Sequence, residues 1–248
     1  MRKSWIILGV AVVLVGAGFA ADRTAADRAA DRLADRLRCV AGTDVDPKVS
    51  FGGVPFLTQW MRGTYSSVRV RAPRLAVGNF TAALDATAHE VRVPHGGPIQ
   101  AKSLTADITV PYAGLGAAEA ANGSPGDAPR DSADSTFGWD GDGKLTIGTN
   151  VRLLGRPRSV TVYATLTVAG TALTIQPTEV GIPLLGLRVS ADRLGDRARV
   201  RTVDLPHLPA GLSYQGARAI ADGLRLTITG SNLRTLPRGV DAPAGRCG

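Results

Sequence analysis

Three histidines, two cysteines and one run of closely spaced aspartates are the residues here whose chemistry could be catalytic or metal-binding. His89, His95 and His207 stand far apart, and none has a second His or Cys at the spacing a zinc site uses. His89 ends a segment of strand pattern, and His95 and His207 lie beside prolines, so structural or exposed roles are expected for all three. Asp140-Gly141-Asp142-Gly143 matches part of a calcium loop, but no downstream acidic residue completes the spacing, and a turn is expected. A Gly-x-Ser-x-Gly elbow and a phosphate-cradling glycine loop ending in Lys-Ser/Thr are both absent. No catalytic residue, metal ligand or cofactor is assigned, and a protein that is not an enzyme is expected.

The elements around these residues say more than the residues themselves. Trp5–Ala21 carries no charge and comes directly after Arg2, Lys3 and Ser4. As a helix it would rise about 25 Å, slightly short of a bilayer core of about 30 Å. Two readings fit residues 1–21: a cleaved signal peptide with small residues near Gly18-Phe19-Ala20, or a signal anchor held by the positive-inside rule. Both export the chain beyond about residue 22, and the charged helix that continues directly from the segment favours the anchor. The expected location is the cell membrane with the folded part on the extracytoplasmic side, or the outside if the segment is cleaved. Outside the cytoplasm, Cys39 and Cys247 are expected to pair as a disulfide. Closing so long a loop would contribute about 4 to 5 kcal/mol at most.

The net charge is +8 with a pI near 10.2. Such a charge suits nucleic acid, anionic lipid or acidic polymer. Export removes nucleic acid from that set. Aromatic residues are only 5% of the chain, so aliphatic residues and alanine must fill any core.

Residues 22–40 predict an amphipathic helix, with Ala26, Ala29, Leu33, Leu37 and Val40 on one stripe. From about residue 47 the period changes to two. Val68 and Val70 alternate with Arg69 and Arg71, and Phe80, Ala82 and Leu84 with Thr81, Ala83 and Asp85. The same alternation marks Leu104–Val110, Val160–Val168, Leu173 with Ile175, and Leu224–Ile228. Half-buried strands are expected at each. Tyr112–Ala121 predicts a short helix, residues 122–143 a mobile loop, and Gly181–Gly195 a helix built on Leu184, Leu185, Leu187 and Leu194. The partition expected is residues 1–21, a helix at 22–40, one β-rich domain at 41–236 and a tail at 237–248.

Two apolar clusters punctuated by Gly and Pro remain. Val49–Trp60 holds Phe51, Phe56 and Trp60 around Gly52-Gly53 and reads alone as a strand entering the core through a bend. Leu205-Pro206-His207-Leu208-Pro209-Ala210-Gly211-Leu212 reads as a rigid connection before the last strands. Together they resemble the motifs of the LmeA-like family of actinobacterial envelope proteins, described as phospholipid-binding. Phe51–Gln59 with Gly63-x-Tyr65 matches the family's Phe-Gly-x-Pro-Phe-Leu-Thr-Gln and Gly-x-Tyr, one residue longer at Gly52-Gly53-Val54. Leu205–Leu212 matches Leu-Pro-x-Leu-Pro-x-Gly-Leu, with His207 where glycine is frequent.

The resemblance implies an α+β, TULIP-like lipid-transfer fold: a mostly antiparallel curved sheet wrapping a long helix and leaving an apolar groove. It implies phospholipid as partner, and the basic charge points to anionic headgroups and a membrane surface. Phe51, Val54, Phe56 and Leu57 are the candidate residues at the lipid slot, and Leu205, Leu208 and Leu212 those that shape it. The function expected is non-enzymatic phospholipid binding in support of envelope lipid or lipoglycan handling. Competing readings are a scaffold that recruits envelope proteins and, behind it, a hydrolase of envelope components.

Overall fold

Alternation of apolar with Thr- or Arg-rich positions produces strands wherever it is sustained along this chain. The structure, a computed structural model, describes residues 2–41, 46–77, 80–94, 97–115, 136–153, 156–182, 186–191, 193 and 200–234. For residues 2–15, 36, 39–41, 76–77, 80, 151–153, 156–157 and 182 it describes the backbone alone. The elements are α1 (Arg2–Ala41), β1 (Lys48–Gly52), α2 (Phe56–Arg62), β2 (Thr64–Val77), β3 (Phe80–Arg92), β4 (Gln100–Val110), β5 (Thr136–Trp139) and β6 (Leu145–Leu153). Next come β7 (Arg156–Ala169), β8 (Ala172–Ile182), β9 (Leu187–Ser190), β10 (Arg201–Asp204), β11 (Leu212–Ile220) and β12 (Gly223–Arg234).

One sheet is ordered β1-β2-β3-β4-β12-β11, the other β10-β8-β7-β6-β5, with β9 added on β8. The pairings of β1 with β2 and among β5 to β10 are antiparallel. The fold is α+β and mostly antiparallel. The chain divides into two compact units, one of residues 1–73, 85–105 and 230–248, the other of 74–84 and 106–229.

In the first unit the expected helix at 22–40 lies within α1, which packs against β1 and α2. Among its described side chains Asp22, Ala26 and Ala30 are buried, one turn apart, and Ala29, Leu33 and Leu37 are half-buried beside them. On β1 and β2, Phe51 stands opposite Val68 and Val49 opposite Val70, so these four share a face. All four remain half-buried. The intervening Arg69 grips Asp85 of β3 in a bidentate pair at 2.7 and 2.5 Å, and Arg71 adds a contact at 3.2 Å. These hydrogen bonds, Arg69's first, hold the Asp85 carboxyl below its ordinary range.

In the second unit Leu173, Leu205, Leu224 and Leu226 form a core cluster with Ile108, Leu166, Val168 and Tyr214 packed on it. The proline-rich connection is pinned there. Leu205 N–H donates to the Thr171 carbonyl at 2.7 Å, and the Tyr214 hydroxyl donates to the Pro206 carbonyl at 2.9 Å.

Several expectations are corrected. The cluster at Val49–Trp60 is not one strand: β1 stops at Gly52 and the chain turns into α2. Of the helix expected on Gly181–Gly195, residues 181–182 and 187–190 are instead the end of β8 and β9, which pairs Leu187 with Ile182 and Val189 with Val180, while Leu184, Leu185 and Leu194 lie outside the described residues. Two residues of alternation were too short a run to register as strand. The stretch 122–143, expected to be a loop, contains β5, while 122–135 lies outside the described residues. Asp140-Gly141-Asp142-Gly143 is a turn, in which Asp140 Oδ1 accepts N–H bonds from Asp142 at 2.9 Å and Lys144 at 3.0 Å. Residues 112–115 form one helical turn of the expected helix, and 116–121 lie outside the described residues. So do the tail at 237–248 and the pairing of Cys39 with Cys247. Among the described residues no helix is long and apolar enough to cross a membrane, and the side chains of 2–15 are not among those described.

Candidate functional site

The first motif is built around a short helix that does not cap itself. α2 begins after Pro55, which has no N–H to give and offers no side-chain cap. The first-turn donors left without a partner inside the helix are satisfied instead by Asp22 of α1: Phe56 N–H donates to Oδ2 and Leu57 N–H to Oδ1, each at 2.8 Å. Asp22 is only 5% exposed. The bond from Leu57, then that from Phe56, with help from Arg23 and against the effect of burial, lowers its carboxyl pKa below the ordinary 3.8.

The rest of the motif fixes the same turn. Gln59 Oε1 accepts from Ser66 N–H at 2.7 Å, tying α2 to β2. Gly53 has φ +87, and a Cβ there would lie 2.7 Å from Ser66 Oγ and 2.9 Å from Gln59 Nε2. Gly63 ends α2 in the left-handed conformation at φ 61 and ψ 25, donating back to the Gln59 and Trp60 carbonyls. Its own carbonyl accepts from Val93 N–H at 2.8 Å. Phe51, Phe56 and Tyr65 form one ring cluster, with centroids 5.2 Å apart for Phe51–Phe56 and Phe51–Tyr65 and 6.1 Å for Phe56–Tyr65.

Phe56 is turned inward, 3% exposed, while the other large apolar side chains of α2 are exposed. Leu57, Trp60 and Met61 recur at helical spacing and are 42%, 61% and 79% exposed, and Val54 just before them is 62% exposed. Arg23 joins this ledge to the earlier part of α1. Its guanidinium donates to the Gly53 carbonyl at 3.3 Å and lies 5.4 Å over the ring of Phe19, itself exposed.

The structure thus places the four candidates of the first motif in two roles. Phe51 and Phe56 pack together, whereas Val54 and Leu57 face outward. In the second unit Leu205 belongs to the core cluster, and Leu208 and Leu212 are half-buried on either side of a turn closed by Leu212 N–H on the Pro209 carbonyl at 3.1 Å. Sequence reasoning missed Asp22, Gln59, Trp60 and Met61. Trp60 and Met61 were legible had the stretch been read as a helix; Asp22 was not, since its partners lie 34 and 35 residues away.

A separate cleft of about 340 Å³ in the first unit is lined by Glu90, Arg92, Gln100, Lys102, Asn232 and Arg234, among others. Glu90 and Asn232 hold positive φ, 49° and 52°. Its charged walls make it no shelter for hydrocarbon. Among the described residues no three His, Cys, Asp or Glu side chains converge to hold a metal.

The Asp22 clamp gives a pH-dependent expectation. A carboxyl whose folded pKa is depressed stabilises the fold above its unfolded value, and that contribution is lost as pH falls through the folded value. Asp22→Asn should therefore lower the thermal midpoint by several degrees at pH 7. The gap to the parent chain should begin to narrow as pH falls past 3.8 and close only below the lower, folded value, where the parent's carboxyl is protonated as well. Melting curves at the two pH values check it; an equal gap at both would remove the carboxylate from the account.

A family model described as LmeA-like phospholipid-binding matches residues 20–229. The match spans both motifs and every strand except the end of β12. No curated protein and no solved structure matches the chain.

Proposed function

The chain belongs to the LmeA-like phospholipid-binding family, and from that membership we propose that it is a non-enzymatic phospholipid-binding protein of the bacterial cell envelope. In this reading residues 1–21 hold it at the membrane with the folded part on the extracytoplasmic side, where it supports lipid or lipoglycan handling. The observation that carries the reading beyond the family match is the unfinished apolar face of β1 and β2. Val49, Phe51, Val68 and Val70 share that face, yet the protein's own side chains leave each of them half-buried. Hydrocarbon is the natural complement of such a face, since each methylene removed from water contributes about 0.8 kcal/mol. The net charge of +8 favours anionic headgroups over neutral ones.

The test is direct. The full chain, carried through several detergent exchanges, should retain phospholipid at a fixed molar ratio, seen by mass spectrometry of an organic extract. Anionic species should be enriched over their share of the source membrane. A chain that emerges free of phospholipid and takes none from anionic vesicles would end this reading.

A further inference from the structure

We propose that the exposed face of α2 is a membrane-docking surface that seats in the headgroup layer of an anionic bilayer beside the emerging α1. The inference rests on the reading of residues 5–21 as membrane-inserted. Its starting point is a juxtaposition built by the fold. Trp5–Ala21 is free of charge, Asp22 is the first charged residue after it, and α1 runs through both without a break. Asp22 is also the residue that clamps the first turn of α2. The short helix is therefore fixed at the level on α1 where the uncharged stretch ends, which is where the bilayer surface would lie.

What α2 presents at that level suits the occupant. Leu57, Trp60 and Met61 lie on one side of it, with Val54 before them and Phe19 on the neighbouring turn of α1, all exposed. Tryptophan concentrates at membrane–water interfaces because its ring is apolar and its N–H needs a polar partner. Exposed large apolar side chains of this kind, gathered in one place, mark contact surfaces. The charge agrees: Arg62 closes the last turn of α2, Arg23 lies between Phe19 and Gly53, and no carboxylate stands on the outward face of α2. Such a border attracts anionic lipid. A protein partner or a second copy of the chain could cover the same side chains, and the experiment separates those cases.

The full chain is reconstituted into vesicles of phosphatidylglycerol and phosphatidylcholine, with plain acyl chains or with chains brominated near the headgroup. Trp60→Phe is prepared in parallel; the residue is exposed, so the variant should fold. The emission of the parent minus that of Trp60→Phe isolates Trp60 from Trp5 and Trp139. In plain vesicles this difference should be blue-shifted, and in brominated vesicles most of it should be lost. A blue-shifted difference that survives bromination would mean that protein covers the face, and would overturn the proposal. An unshifted, unquenched difference would leave the face in water and overturn it too. Neither result touches the phospholipid-retention test, so loss of docking and loss of lipid binding are read separately.

Discussion

Phe56→Ala should destabilise the protein by about 3–5 kcal/mol, the usual range for emptying a buried phenylalanine site. Phe56 is the one buried residue of α2, and its ring meets Phe51 and Tyr65 in a cluster that joins β1, α2 and the start of β2. Those neighbours cannot close the void readily. Phe51 is held in register opposite Val68, and the Phe56 backbone is held by Asp22. Phe56→Leu keeps most of the volume and should lose much less. Urea unfolding of the two variants, followed by far-ultraviolet circular dichroism, gives the comparison. A loss below about 1 kcal/mol for the alanine variant would show that α2 is held by its polar clamps alone.

Gly223→Ala should be nearly as damaging, by about 3 kcal/mol or more, for a different reason. Gly223 starts β12 with φ +150, and a Cβ built on it would lie 2.1 Å from the Val110 carbonyl oxygen and 2.8 Å from its carbon. The obstacle is backbone at the end of β4, so no side-chain rotation relieves it. Gly170→Ala is the control. It stands at φ +63 with no atom within 4 Å of the added methyl, so backbone strain alone applies, on the order of 1 kcal/mol. Equal losses for the two variants would mean that β4 and β12 can part without penalty.

The strands were legible because one face of each is apolar and the other is not. Val68 and Val70 against Arg69 and Arg71 is a pattern only an extended chain can sort, and β2 sorts it, with Arg69 reaching Asp85 across the polar side. The helix at 22–40 was legible for the same reason at the helical period. What could not be read was α2. Seven residues make fewer than two full turns, too short for periodicity, and the aromatic content of the stretch favoured strand. Its stability is not local, since its cap comes from another helix. The family motif was recognisable in Phe51–Gln59, but its division of labour was not. Phe56 and Leu57 are adjacent and both apolar, and only the fold sends one inward and the other out.

The unbroken run of α1 has a consequence for orientation. Between Ala20 and Ala41 it contains neither Pro nor Gly, the usual causes of a kink. A continuous helix carries azimuth along its axis as well as height. One residue added after Ala21 would lift everything beyond it by only about 1.5 Å but swing it through about 100°. The ledge of Trp60 and Met61 would keep its altitude and lose its heading, as a weathervane does when its shaft is twisted.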